Sequence, residues 1–365
     1  MYINSIETFD IAVPLTKPFK TALRTVTTAF SVYVKVTTSD GRVGYGEAPP
    51  THVITGESMD SIRCAINEII APQLIGLPLL EKELVFERLN KALVRNTSAK
   101  AAVDMALYDL LAQHGGVPLY QYLGGYRNKI ETDYTVSVNE PAEMAEDAAK
   151  YIRDGFGILK VKVGIGEIQD DIARIKAIRE KIGSKASLRL DANQGWGARE
   201  GVRAIRAMED AGLDIELVEQ PVPAHDLEGL KYITDHTDTP IMADESVFSV
   251  YDAKRVITMR AADYMNIKLM KTGGIYNALK INSLAEVHDM RCMVGSMIET
   301  KLGITAAANF AASQPNIRFY DFDAPLMLAK DIVEGGVIYR QSTISFPSEG
   351  GLGIKSIQME GAVSK

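Results

Sequence analysis

The sequence predicts an α/β protein built on a closed parallel barrel of eight strands, preceded by an α+β segment. Three observations carry this reading. Eight short apolar runs, at 132–138, 158–163, 187–191, 215–219, 240–244, 264–268, 291–295 and 317–321, alternate with amphipathic stretches. The first 125 residues show a different order, strands first and helices after. An open doubly wound sheet would need a nucleotide fingerprint, and it is missing. Gly164-Ile165-Gly166 lacks a third glycine, and no GK[ST] phosphate loop occurs.

In the N-terminal segment, residues 1–125, β-branched alternation marks Ser5–Leu15, Ala29–Thr38 and Arg42–Glu47 as strands. Ser39-Asp40-Gly41 forms the hairpin turn between the last two. Helices are expected over Ser58–Ile75, Glu81–Leu93 and Ser98–His114. Residues 126–339 hold the barrel, with helical segments such as Ala142–Asp154, Ile168–Ile182, Ala198–Gly212 and Tyr276–Asp289 between its strands. Ile344–Ile354 reads as a further strand, and residues 340–365 are expected to return beside the N-terminal domain.

Bulk properties narrow the function. A net charge of −7 argues against nucleic acid or an anionic membrane as partner. No run of 18 or more apolar residues occurs, so no membrane-spanning helix is expected. The opening MYINSIETFDIAVPL lacks a basic stretch followed by an apolar core, so it does not read as a signal peptide. Cys64 and Cys292 stand far apart without CxxC spacing and read as reduced thiols. Asn96-Thr97-Ser98 matches a glycosylation acceptor, which carries no weight without a secretion signal. A soluble cytoplasmic protein, and a homo-oligomer, is expected.

Five charges interrupt the apolar runs at their ends: Lys162, Asp191, Glu219, Asp244 and Lys268, spaced by 29, 28, 25 and 24 residues. A charge in an apolar strand is costly unless paired or metal-bound, and barrel sites lie at the C-terminal strand ends. Asp191, Glu219 and Asp244 on strands three to five would repel one another unless neutralised. A hard divalent cation does so, and oxygen-only ligation favours Mg²⁺. Helix capping is the plainer role for such acids. Asn193 and Glu245 follow closely and read as partners that orient these carboxylates.

Lys162 on strand two and Lys268 on strand six face each other across a ring of eight. Lys160 shares the parity of Lys162, and two inward ammoniums would depress each other's pKa. Lys271, close to Lys268, suggests instead that lysines are simply tolerated there. Two opposed amines around a Lewis acid suit a 1,1-proton transfer α to a carboxylate, through an enediolate. The expected outcome is epimerisation or racemisation.

The motifs Leu159-Lys160-Val161-Lys162, Leu190-Asp191-Ala192-Asn193, Val218-Glu219-Gln220-Pro221, Ala243-Asp244-Glu245-Ser246 and Asn266-Ile267-Lys268 resemble the muconate-lactonizing subgroup of the enolase superfamily. A Lys or His base working beside Mg²⁺ is a general feature of that superfamily. The resemblance spans essentially the whole chain. It implies a (β/α)₇β, TIM-like barrel with the N-terminal segment as a cap domain, and one Mg²⁺ per subunit.

Strand eight ends in Asp321-Phe322-Asp323, two acids of one parity suited to a cationic group or, before Pro325, to a turn. Within the family this DxD is similar to the dipeptide-epimerase signature that receives the substrate's ammonium. Thr135 on strand one and Ser296 on strand seven suit a peptide backbone. The cap offers loops at Lys17–Thr27 and Pro49–Gly56. Arg24 resembles the arginine by which L-Ala-D/L-Glu epimerases hold the glutamate side chain, and Ile54 lies in the second loop. The resemblance thus implies an isomerase that interconverts L-Ala-D-Glu and L-Ala-L-Glu from murein peptides. A cycloisomerase or an o-succinylbenzoate synthase is the alternative on this scaffold, against which the two acids argue. Acid-sugar dehydration would look for a histidine at the end of strand seven, and none of the five falls there. A Schiff-base aldolase using Lys268, or a non-catalytic binder, leaves the three carboxylates unexplained.

Overall fold

The computed structural model describes residues 1–358. In the cap, Ile3–Lys20 pairs antiparallel with Thr25–Thr38, which pairs in turn with Val43–Ala48. The first two strands run well into the region expected as a loop, leaving only Thr21–Arg24 as the tip. A register shift between Pro14 and Phe19 lets pairing resume beyond the proline, which has no N–H to donate. Side chains there are largely exposed, so the alternation that marks a half-buried strand is absent. Thr21 Oγ1 closes the tip by accepting from Leu23 N and Arg24 N.

The helical half of the cap begins with a reciprocal cap, Ser61 N donating to Ser58 Oγ and Ser58 N to Ser61 Oγ. Met59–Cys64 continues through a wider π stretch, Ala65–Ile70, into Ala71–Leu74. Lys82–Lys91 follows, and then Thr97–Gly115. This last helix is buried without a break from Ser98 to Ala112, as a helix enclosed by cap sheet and barrel must be. The sheet lies directly on its backbone. A methyl group at Gly46 would stand 1.8 Å from the Ala102 carbonyl oxygen, so only glycine fits.

The polar side chains buried in this helix dock the cap onto the rest of the chain. Asp104 accepts from Ile275 N at 2.6 Å and Tyr276 N at 3.2 Å, capping the barrel helix Ile275–Glu286. Asp109 accepts from Tyr45 N of the cap sheet and from Leu352 N near the C-terminus.

The eight barrel strands are Tyr134–Val136, Ile158–Lys162, Ser187–Asp191, Ile215–Glu219, Ile241–Ala243, Tyr264–Ile267, Arg291–Val294 and Ile317–Tyr320, in sequence order around the sheet. Asp133 N donates to Tyr320 O at 3.3 Å, bringing the eighth strand to the first. A helix follows each of the first seven strands, namely Pro141–Arg153, Ile168–Ile182, Ala198–Asp210, Leu227–Thr234, Val250–Met259, Ile275–Glu286 and Lys301–Ser313, with the short helix Leu269–Thr272 ahead of Ile275–Glu286. Parallel register places Lys162, Asp191 and Glu219 in one row, at the ends of strands two, three and four. Asp244 and Lys268 each follow the last residue of their strand.

The C-terminal segment divides rather than forming the single strand expected over Ile344–Ile354. Thr343–Ser345 joins Lys129–Glu131 and Ile338–Arg340 at the N-terminal end of the barrel. Ile354–Ile357 pairs with Val333–Gly335. Between them, Gly351 exchanges backbone hydrogen bonds with Val117 and Leu119 beside the cap helix. Residues 359–365 of the expected cap-packing stretch lie outside the described residues. Among the described residues no helix is long and apolar enough to cross a membrane.

Candidate active site

The row of strand ends gathers four lysines and three acids. Lys162 Nζ lies 2.6 Å from Asp191 Oδ2, and Lys268 Nζ lies 2.6 Å from Asp244 Oδ2. Asn266 Nδ2 donates to Glu219 Oε1 at 2.7 Å. Lys271, read in the sequence only as a tolerated neighbour, is fully buried. Its Nζ pairs with Asp244 Oδ1 at 2.6 Å and also donates to the carbonyls of Asp244 and Asn266. No apolar run in the sequence marked it as inward.

Lys160 departs from its expected role. It does not line the cavity. It is 1% exposed, with Nζ 2.8 Å from Glu219 Oε2, 2.8 Å from Asp321 Oδ2 and 3.1 Å from Asp191 Oδ2. Nor is its pKa depressed. Burial works in that direction, but the surrounding carboxylates outweigh it and hold the ammonium well above its ordinary range. Burial lowers Lys268 as well, but Asp244, with Glu219 and Glu245, together outweigh it and raise the ammonium.

The acids respond to the same crowding. Asp191 is held down at about 2 because Lys162 and Lys160 outweigh its burial. Burial together with the neighbouring Asp191 and Asp244 pushes Glu219 up to about 7, despite Lys160. Glu245 is pushed to about 8 by burial and then by Asp244 and Asp191. Among the described residues no three acidic, His or Cys side chains converge as a ligand cluster, because each carboxylate is turned toward a lysine. The donor set nonetheless fits a hard divalent cation. It is all oxygen, it sits on adjacent strand ends, and Glu219, like the adjoining Glu245, stays raised for want of positive charge. Asn193 Oδ1 and Glu245 Oε2 are also buried there without a partner among the described residues. Asn193 steadies the set, its N–H donating to Asp191 Oδ1 at 2.9 Å and its Nδ2 to Glu245 Oε1 at 3.3 Å.

Above these groups a cavity opens toward the cap. Lys162, Lys268, Asn193, Glu245, Thr135, Ser296, Asp321 and Asp323 line it from the barrel, and Arg24 and Ile54 from the cap. Thr135 meets the site through its backbone, whose N–H donates to Asp323 Oδ2 at 2.6 Å. Ser296 Oγ donates to the Asp321 carbonyl at 3.4 Å. The two acids of the DxD differ. Asp321 is lowered, since Lys160, Lys162 and Lys268 outweigh its burial. Asp323 is pushed to about 7 by burial and by Asp321. Burial lowers the pKa of the Arg24 guanidinium, and among the described residues it makes no ion pair.

Phe19 and Val53, within the two cap loops but not singled out in the sequence, also line the cavity, as do Met297 and Ile298, which the sequence did not mark. The Phe19 ring lies 5.8 Å from Lys162 Nζ and helps to cover it from water. Its strand was read as a loop, so its direction was not legible.

The mandelate racemase / muconate lactonizing enzyme N-terminal domain model matches residues 4–124, and the enolase C-terminal domain-like model matches residues 143–358. The chain is 62% identical to the L-Ala-D/L-Glu epimerase of Bacillus subtilis (strain 168), covering 97% of each chain. It is 45% identical to the hydrophobic dipeptide epimerase of Enterococcus faecalis, covering 97% of this chain and 99% of that one. The solved substrate-liganded complex of the B. subtilis epimerase superimposes with a TM-score of 0.97, covering 98% of this chain and 99% of that one. The E. faecalis dipeptide epimerase, solved with Mg and L-Leu-L-Tyr, superimposes at 0.94 with 44% identity, covering 98% and 100%.

Proposed function

The chain belongs to the mandelate racemase/muconate lactonizing enzyme family of the enolase superfamily, and from that premise we propose that it is an isomerase interconverting L-Ala-D-Glu and L-Ala-L-Glu. One observation carries the reading. Lys162 and Lys268 reach a single cavity, each beside its own carboxylate, and the acids Asp321 and Asp323 open onto the same space.

In this reading one lysine amine takes the α-proton of the glutamyl residue at Nζ. The other lysine, as ammonium, delivers a proton from Nζ to the opposite face, and the configuration inverts. Asp191, Glu219 and Asp244 hold Mg²⁺, which when bound offsets the charge that develops on the substrate carboxylate. Asp321 and Asp323 receive the substrate's ammonium, and the Arg24 fork receives the glutamate side chain. Thr135 and Ser296 steady the peptide unit. Phe19 and the cap loops exclude water. The reading extends to murein-peptide metabolism in the cytoplasm, carried out by a homo-oligomer with one Mg²⁺ per subunit. The relatives support it: one is solved with its substrate bound, and another with Mg and a dipeptide.

The test is deuterium incorporation at the glutamyl α-carbon of L-Ala-L-Glu in D₂O with Mg²⁺, read by mass spectrometry. Exchange accompanied by appearance of the D-Glu isomer is expected; no exchange would end the reading. A dipeptide with an apolar second residue is the competing substrate, since Ile54, Met297 and Ile298 also line the cavity. A dipeptide library run under the same conditions separates the two.

A further inference from the structure

Two buried carboxylates meet where the cap rests on the loop after the seventh strand. Glu47, near the end of the cap strand Val43–Ala48, is fully buried. It accepts from Thr300 N at 2.9 Å, Thr300 Oγ1 at 2.7 Å and Gly303 N at 2.8 Å. A cap side chain thus satisfies the N-terminus of the barrel helix Lys301–Ser313. Glu299 is 2% exposed. Its Oε1 accepts from Met297 N at 2.9 Å, and its Oε2 has no hydrogen-bond partner among the described residues. Both carboxylates press on one α-carbon. A methyl group on Gly303 would stand 2.3 Å from Glu299 Oε2 and 3.1 Å from Glu47 Oε2.

Two carboxylates buried side by side do not both stay ionised. Three donors stabilise the charge on Glu47, whereas Glu299 has one, so the proton belongs on Glu299. Burial and then Glu47 push the Glu299 carboxyl up to about 8. The other ionisable groups facing the pair are Lys268 from the sixth barrel strand and Tyr33 from the cap sheet, whose hydroxyl meets Thr300 Oγ1. Asp331 lies farther out and is paired with Lys301.

We propose that Glu299 keeps a proton and donates it to Glu47, and that this pair positions the Ser296–Ile298 wall of the cavity against the cap. Met297 is tied to Glu299 directly, and Ser296, Met297 and Ile298 all line the cavity. Glu47 stands just before the cap loop that brings Val53 and Ile54 to the same space. One proton therefore joins the barrel wall to the cap loop. Glu299 is a positioning residue; it is not among the groups lining the cavity. The substrate half of this inference rests on the dipeptide reading.

The experiment follows amide hydrogen exchange over residues 296–303 in the intact protein, one pH unit either side of about 8. KM for L-Ala-L-Glu is measured alongside, in the wild type, Glu299→Gln and Glu299→Leu. In the wild type, protection falls and KM rises on the order of tenfold across that step, beyond the intrinsic change in exchange rate. Glu299→Gln, whose N–H donor does not titrate, keeps protection and KM at both pH values. Glu299→Leu, with no donor, shows the loss already at the lower pH. The proposal is overturned if Glu299→Gln repeats the wild-type alkaline loss, or if Glu299→Leu keeps full protection. Should Glu299→Leu fail to fold, the wild type and Glu299→Gln still decide. Should no dipeptide be turned over, the exchange data judge the pair on their own.

Discussion

Lys160 Nζ donates to Asp321 Oδ2 at 2.8 Å, tying the second barrel strand to the eighth. The same ammonium reaches Glu219 and Asp191, so one buried cation is shared by two strand-end carboxylates and the first acid of the DxD. Lys160→Met should therefore leave three buried acids short of charge. Removing one partner of a buried ion pair costs roughly 3–5 kcal/mol. Thermal unfolding of the variant should show a loss of that order, with part of it regained when Mg²⁺ is added. Unfolding at the wild-type temperature without Mg²⁺ would mean that the acids are neutralised in some other way.

The two lysines facing the cavity should separate by stereochemistry. Lys162→Ala should abolish α-proton exchange from one isomer of Ala-Glu, and Lys268→Ala from the other. A positioned proton-transfer group contributes about 10²–10⁴ in rate, which sets the expected loss for each. Proton NMR in D₂O, run separately on L-Ala-L-Glu and L-Ala-D-Glu, reads the two half-reactions. A variant that still epimerised at the wild-type rate would remove its lysine from the mechanism.

Arg24 should discriminate between substrates rather than drive catalysis. Its guanidinium opens onto the cavity and makes no ion pair among the described residues. A hydrogen bond to a charged group contributes about 1.5–3 kcal/mol, so Arg24→Leu should raise KM for Ala-Glu by roughly 10- to 100-fold. With an apolar second residue the change should be small, since no carboxylate is then left unpaired. Steady-state KM values on Ala-Glu and Ala-Leu check this. Equal losses on both would place Arg24 in the scaffold.

The division between what was legible in the sequence and what was not follows from burial. Lys162, Asp191, Glu219, Asp244 and Lys268 stood out because each ends an apolar run, where an unpaired charge is too costly to be accidental. Lys271 has the same burial but follows Lys268 in the short helix Leu269–Thr272, so no apolar run announced it. Parity gave the inward direction of Lys160 and not its partners. Asp321 lies 161 residues away, and only barrel closure brings the two together. Glu47 and Glu299 were silent for a similar reason, since a carboxylate beside a strand end or helix start reads as solvated or capping until its partner is in place. The hairpin flanks, residues 17–20 and 25–27, were read as loop because their largely exposed side chains leave the pairing to the main chain.

Asp323 sets the expected pH dependence of substrate binding. Burial and the neighbouring Asp321 hold its carboxyl at about 7, well above the ordinary aspartate range, although Thr135 N donates to it. On the dipeptide reading the substrate's ammonium would favour the ionised carboxylate, so binding is expected to be complete above about 7 and to weaken as the pH falls through that value. Asp321 is held ionised by the lysines and keeps part of the attraction. KM for Ala-Glu should therefore rise by at most about tenfold per pH unit below the transition. Asp323→Asn should show a higher KM above the transition and no rise through it. Measuring KM across this range in both proteins tests the assignment. A KM limb that survives in Asp323→Asn would move the titration to another group and leave Asp321 as the acid that binds the ammonium.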